Sequence, residues 1–258
     1  MIDLIIFEVK ESRYAMDIAN IQRIVQAQAL TPIPNAHAYI EGMMSYEERV
    51  IKVVNFRKMV NIEPYDDELK SLFETLKGQH KEWVDALSYA VSNQTNFQKT
   101  TDPHACDLGK WLDNFTSYDD HVSEILKGLN HNHKHLHKSA EEILQISQED
   151  HNRAQKLVDT DVHETYQRTM GAVDTFMNEF DIVADSLQKL LIYQNGTSLF
   201  AIKVDSIVDI AHIEPSNIKE AQESNKVSQY LELEGVIELN DVLINVIKEV
   251  RLPQDEEL

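Results

Sequence analysis

The sequence predicts a multidomain α+β protein in which a helical bundle interrupts β structure of barrel or sandwich type. Three observations predict it. Short apolar and β-branched runs at close spacing occupy both ends of the 258-residue chain, the pattern of strands in an all-β unit. The middle instead repeats apolar residues at i, i+3, i+4 and i+7, as helices with one buried face do. Proline, which breaks helices, is distributed accordingly: only Pro103 falls between Asp66 and Gln188, and the other five lie outside.

In chain order, Leu4-Ile5-Ile6-Phe7-Glu8-Val9 reads as a strand followed by turn-prone Glu11-Ser12, and Tyr14 to Ile18 as the next strand. Val50 to Phe56 is a further β-branched run. After the helical middle, Leu190 to Tyr193 leads into Asn195-Gly196, a two-residue hairpin signal, and Leu199 to Val204 returns. Ile207 to Ile213 and Val242 to Ile247 complete the second flank. In the middle, one stripe runs through Leu69, Phe73, Leu76, His80, Trp83, Val84, Leu87 and Val91. A second runs through Val122, Leu126, Leu129, His133, Leu136, His137, Ala140 and Ile143, and a third from Ala154 to Phe180. A short helix after Cys106 makes a fourth leg, so an antiparallel bundle returns the chain to its entry point. The expected segments are 1–65, an inserted bundle over 66–188, and 189–258, with an acidic tail from Gln254 expected to be disordered.

Composition excludes several functions. Lys and Arg number 24 against 44 Asp and Glu, a net charge of −20, which repels nucleic-acid phosphates and anionic lipid. No apolar run approaches the roughly 20 residues that span a bilayer, and Met1-Ile2-Asp3-Leu4 does not resemble a secretory signal. One cysteine in such a chain fits a reducing cytoplasm. No P-loop, GxGxxG, H-E-x-x-H or nucleophile-elbow pattern occurs, and no enzyme is expected.

The chemistry-bearing residues are His80, Cys106, His133 and His137. His133 and His137 lie about 40° apart on one helix face, among Leu129, Leu136 and Ala140. His131 and His135 form a second i, i+4 pair on the opposite, polar side. His80 sits on the apolar stripe of its own helix. The bland reading is a set of buried, hydrogen-bonded histidines and an inert thiol. Three clustered imidazoles without a partner are costly to bury, however, and imidazole with thiolate is a ligand set that zinc prefers. Four protein ligands would leave no open position for hydrolytic chemistry. His104, beside Pro103, is expected to be solvated. A hemerythrin-like di-iron bundle would need bridging carboxylates, and only Glu141 stands near that stripe.

Cys106-Asp107-Leu108-Gly109-Lys110-Trp111 resembles the C-x-L-G-x-W signature of the CZB (chemoreceptor zinc-binding) domain. His133-Lys134-His135-Leu136-His137-Lys138-Ser139-Ala140 is similar to its H-x-x-L-H-x-x-A helix, and His80-Lys81-Glu82-Trp83 resembles its first-helix histidine. The resemblance implies Zn²⁺ held by His80, Cys106, His133 and His137. The flanks resemble a CheW-like domain through Tyr14-Ala15-Met16-Asp17-Ile18, Thr31-Pro32-Ile33-Pro34, Tyr39-Ile40-Glu41-Gly42, Val53-Val54-Asn55-Phe56-Arg57, Lys203-Val204-Asp205-Ser206-Ile207-Val208 and Leu233-Glu234-Gly235-Val236. That resemblance implies a pair of small five-stranded β-barrels with the bundle between them. It also implies an adaptor for a chemoreceptor, a CheA-type histidine kinase or another signalling protein. Domains of the CZB kind are often dimeric, which adds a possible homodimer through the bundle. Two places depart from the CheW-like pattern: Tyr46-Glu47-Glu48 stands where L-R-G is usual, and Lys52 where proline is usual. Acid in place of arginine reverses the local charge of a partner-facing turn. The expected function is a cytoplasmic, non-enzymatic signalling scaffold whose bundle binds zinc and senses zinc or oxidants; the alternatives are a purely structural zinc module and a metal-binding hemerythrin-like bundle.

Overall fold

The computed structural model describes residues 1–220 and 226–252, so the tail from Gln254 lies outside the described residues. Two compact units emerge: Met1–Tyr65 with Ala184–Leu258, and Asp66–Val183.

In the first unit, β1 (Ile2–Val9), β2 (Ser12–Asp17), β3 (Ile21–Gln26), β4 (Ile40–Tyr46) and β5 (Arg49–Asn55) lead into a short helix, α1 (Phe56–Met59). After the helical segment come β6 (Lys189–Asn195), β7 (Ser198–Val204), β8 (Ser206–Ile213), β9 (Lys226–Ser228), β10 (Leu231–Leu239) and β11 (Val242–Val250). They form two sheets, ordered β8-β1-β2-β11-β10-β9 and β3-β6-β7-β5-β4.

Continuous apolar runs form strands here because both faces are buried. Leu4 and Ile6 of β1 pack with Ala15, Ile237, Ile244 and Val246, whereas Ile5, Phe7 and Val9 join Val54, Phe200 and Ile202. In β6, Leu190 and Ile192 pack with Val53 and Ala201, while Leu191 and Tyr193 face the shared core. Each sheet therefore encloses a core of its own and contributes to a third. A strand buried on both faces needs an apolar residue at every position.

The point of insertion differs from the expectation. Both sheets take strands from both flanks, joined by the parallel pairs β2–β11 and β5–β7. The helical segment interrupts the five-stranded sheet between β5 and β6 rather than separating one barrel from the other. β3 and β10 do not read as apolar runs because polar and charged residues such as Gln22, Arg23, Glu232, Glu234 and Glu238 break them up. Two turns fall one residue away from the expected dipeptides. Gly196-Thr197 makes the β6–β7 turn, with Gly196 at φ 58°, and Asn195 pairs with Ser198 as a strand residue. Lys10-Glu11 joins β1 to β2, with Lys10 at φ 56° and Ser12 already paired to Val9.

The second unit holds most of α2 (Tyr65–Ser92), with α3 (Asp107–Asn114), α4 (Asp120–Glu149), α5 (His151–Leu157) and α6 (His163–Met177); α7 (Phe180–Leu187) leads out of it. The third expected helix is broken: a π-helical turn over Val158–Val162 joins α5 to α6, and α7 starts afresh. Asp119 and Asp150 cap α4 and α5 through the Val122 and Arg153 amides, the N-cap chemistry that stops one helix and starts the next. Trp83, Leu87 and Val91 pack with Leu136, Ala140 and Ile143. Phe73, Trp111, Phe176 and Phe180 form an aromatic group, with ring centres 4.8–5.6 Å apart for the pairs in contact. No helix among the described residues is long and apolar enough to cross a membrane.

Candidate metal centre

Helical periodicity delivers three donors to the bundle interior. His80 faces inward from α2, and His133 and His137 stand one turn apart on the buried side of α4; all three are buried. His131 and His135 are exposed on the far side. His104 is exposed as well and pairs with Asp113 at 2.7 Å.

The fourth donor depends on a loop. Cys106 is the N-cap of α3, where its sulfur accepts the Gly109 amide hydrogen at 3.2 Å. That turn closes only because Gly109 lacks a side chain: a Cβ there would lie 1.7 Å from the Pro103 carbonyl oxygen. The glycine of the C-x-L-G spacing thus has a steric reason, which the sequence marked without explaining. Gly109→Ala is expected to shift the cysteine loop and weaken zinc binding by about tenfold or more, the scale of other losses of ligand support. Competition against a chromophoric chelator measures this; unchanged affinity would mean the loop accommodates the methyl group.

The donor atoms of His80, Cys106, His133 and His137 all lie within 4.8 Å of one another. Cys106 Sγ is 3.2 Å from His133 Nε2 and 3.8 Å from His80 Nε2, and those two nitrogens are 3.2 Å apart. Ligands at the bond lengths of tetrahedral zinc sit about 3.3–3.8 Å from each other, so these contacts are close to that spacing. Backbone carbonyls orient two of the rings. His80 Nδ1 donates to Leu76 O at 2.8 Å and His137 Nδ1 to Thr101 O at 3.2 Å, tautomers assigned from those acceptors, which leave the Nε2 lone pairs for a cation. Trp83 Nε1 donates to the neighbouring Thr100 O at 2.8 Å, and its ring centre lies 4.7 Å from that of His137. Thr100 and Thr101 carry no sequence signal, and Leu76 reads only as part of the apolar stripe, because a carbonyl acceptor leaves no mark on residue type.

Electrostatics favour the ligating forms of the imidazoles. Burial, reinforced by the like charges His137 and His80 would carry, lowers His133 to about 3. Burial lowers His137 to about 4 and pushes His80 below its ordinary value. Burial raises the Cys106 thiol, opposed by the Gly109 and Leu108 amides. The fit to a metal is tested by one atom in particular: His137 Nε2 is buried and lacks a hydrogen-bond partner among the described residues. Leaving such an acceptor unmet costs about 1–3 kcal/mol, and a bound cation would satisfy it. No carboxylate joins this group among the described residues, and Glu141 is exposed, so bridging ligands for a di-iron centre are missing from it.

A pH prediction follows for the metal-free protein. As pH falls below about 6.5, unfolded-state histidines gain protons while His133 and His137 stay neutral until about 3 and 4. The unfolded state is favoured, by roughly 1.4 kcal/mol per pH unit for each histidine. Chelated protein should therefore lose stability steeply between pH 6.5 and 4, as read by denaturant titration of Trp fluorescence; a flat profile would contradict neutral buried imidazoles.

Comparison with known proteins agrees with this chemistry. Residues 3–79 match the family model of the CheW-like domain, and residues 80–144 match that of the chemoreceptor zinc-binding domain. All four donors fall inside the second match. The first match ends within α2, which continues without a break, whereas the division between compact units falls at Tyr65. Among curated relatives, the chemotaxis protein CheW of Thermotoga maritima is 30% identical over 70 residues, 27% of this chain and 46% of that protein. The chemotaxis protein CheW of Treponema pallidum is 34% identical over 59 residues, 23% of this chain and 35% of that protein. The chain thus spans less than half the length of either relative. Among solved structures, it is similar to the scaffolding protein TtCheW from Thermoanaerobacter tengcongensis, with TM-score 0.44 and 12% identity over 96% of this chain and 84% of that one. It is also similar to the regulatory CZB domain of DgcZ, with TM-score 0.40 and 15% identity over 45% of this chain and 98% of that one. The chain combines a CheW-like domain with a chemoreceptor zinc-binding domain, and zinc is its cofactor.

Proposed function

We propose that this chain is a cytoplasmic, non-enzymatic signalling scaffold of chemotaxis type whose inserted bundle holds zinc through His80, Cys106, His133 and His137 and reports zinc or oxidants. The observation that carries the reading is a closed set of four donors, within 4.8 Å of one another, that includes an unpartnered buried nitrogen. Zinc, when bound, supplies a crosslink among α2, α4 and the loop before α3. The chain's residues do the rest. The Thr100 and Thr101 carbonyls hold Trp83 and His137, so the cysteine loop and both long helices share one set of contacts. Without the ion, His137 Nε2 has no partner among the described residues and a different helix packing is favoured. A peroxide reaching half-buried Cys106 would transfer one oxygen to Sγ, giving a sulfenic acid and water, and the sulfur would become a poorer ligand.

The partners of this reading are a chemoreceptor, a CheA-type histidine kinase or another signalling protein, together with a second copy of the chain through the bundle. Glu47 and Glu48 form the exposed β4–β5 turn, with Glu47 at φ 52°, and Lys52 pairs with Met43 in β5. An acidic tip in place of arginine redirects any charged contact made there.

The test is partner affinity, measured with zinc and after chelation. A several-fold difference supports the switch; equal values leave a zinc staple, the second reading, which very slow zinc exchange would favour. The oxidant branch is tested separately, since an oxidant response that survives Cys106→Ala removes the thiol from sensing.

A further inference from the structure

A second buried constellation lies in the β unit, centred on Asp205 between β7 and β8. Its Oδ1 accepts from Arg57 Nε at 2.7 Å and from Gln188 Nε2 at 3.0 Å. Its Oδ2 accepts from Arg57 Nη2 at 2.6 Å and from the Lys10 amide at 2.7 Å. Arg57 is 1% exposed, so the pair is held in a low-dielectric interior.

Arg57 and Gln188 stand where the chain leaves and re-enters this unit. Arg57, in α1, also donates from Nη1 to Glu63 O at 3.0 Å, and its guanidinium lies 4.4 Å from the ring centre of Tyr65, the first residue of α2. Five residues, 60–64, separate α1 from α2. On the return, Gln188 is the single residue between α7 and β6. Its carbonyl accepts from Gln26 Nε2 at 2.7 Å and from the Ala27 amide at 3.2 Å. Asp185, in the last turn of α7, pairs at 2.5 Å with Lys203 on β7, itself buried.

We infer that Asp205 is the coupling residue of this chain, one buried carboxylate that ties both stems of the inserted bundle to the sheets. Long flexible connectors would let an inserted domain change state without the host registering it. Here the connectors are short, and both end on the same charge. A bidentate guanidinium–carboxylate pair is geometrically strict, and breaking it strands a buried charge. The cluster therefore yields in a discrete step, as a switching element does, rather than deforming gradually. The inference rests on the reading that the bundle changes state when zinc is lost, and it names where that change enters the sheets.

Hydrogen exchange on the full chain, zinc-loaded and chelated, tests it in the wild type, Gln188→Met and Asp205→Asn. In the wild type, chelation should speed exchange in α2 and α4 and, by about threefold or more, in the β5 and β7 amides. Gln188→Met keeps the Arg57–Asp205 pair and removes only the side-chain link from the return stem to Asp205, so it serves should Asp205→Asn not fold. In either variant the helices should respond as in the wild type while the strand response falls by at least about half. Strands that respond in Gln188→Met as fully as in the wild type overturn the clamp and leave the zinc switch standing. Wild-type strands that ignore chelation while the helices respond overturn the coupling itself. Helices that ignore chelation overturn the zinc reading, and the clamp falls with it.

Discussion

His133→Ala is expected to lower zinc affinity by a factor on the order of 10²–10³. Structural zinc sites contribute about 10–16 kcal/mol in all, so one ligand of four accounts for about 3–4 kcal/mol. His133 is the sharpest choice because its Nε2 lies 3.2 Å from both Cys106 Sγ and His80 Nε2. Among the described residues no neighbouring group stands ready to replace it: Leu129 and Leu136 flank it in the core, and His131 and His135 point to solvent. His131→Ala and His135→Ala should leave affinity unchanged, which separates a ligand from a histidine that merely shares the helix. Chelator competition with circular dichroism on the same samples reads affinity and helix content together. An affinity within about threefold of the wild type would remove His133 from the ligand set.

Arg57→Ala should destabilise the β unit by about 3–5 kcal/mol, the range for removing one partner of a buried ion pair. Asp205 would keep the Gln188 and Lys10 donors but lose both guanidinium contacts. Replacing both charges, as in Arg57→Met with Asp205→Leu, should recover much of the loss because neither charge is then stranded. Both tryptophans, Trp83 and Trp111, belong to the helical unit, so their fluorescence follows the wrong transition. Exchange of the β1 and β7 amides is the suitable measure. A loss below about 1 kcal/mol would mean that water solvates Asp205 as well as Arg57 does.

Much of the site could be read from the chain because a helix turns regular spacing into a face. Once Leu129, Leu136 and Ala140 mark the buried side of α4, the side on which His133 and His137 fall, and from which His131 and His135 are excluded, follows from 100° per residue. Cys106 is legible differently, through a local motif and its being the chain's single sulfhydryl. The supporting roles of Leu76, Thr100, Thr101 and Pro103 are invisible in the sequence for a physical reason: they act through backbone carbonyls, and any residue type supplies one.

Residue order by itself determined the helical middle, the strands buried on both faces and the residue types of the candidate donor cluster, since each follows from local periodicity or from side-chain chemistry. Only the tertiary structure decided which strands pair, that the bundle interrupts the five-stranded sheet between β5 and β6, and that Arg57, Gln188 and Asp205 meet. Strand pairing is made by main-chain hydrogen bonds common to every residue. A charge destined for burial looks in one dimension like any surface charge, until a partner 148 positions away supplies its neutraliser.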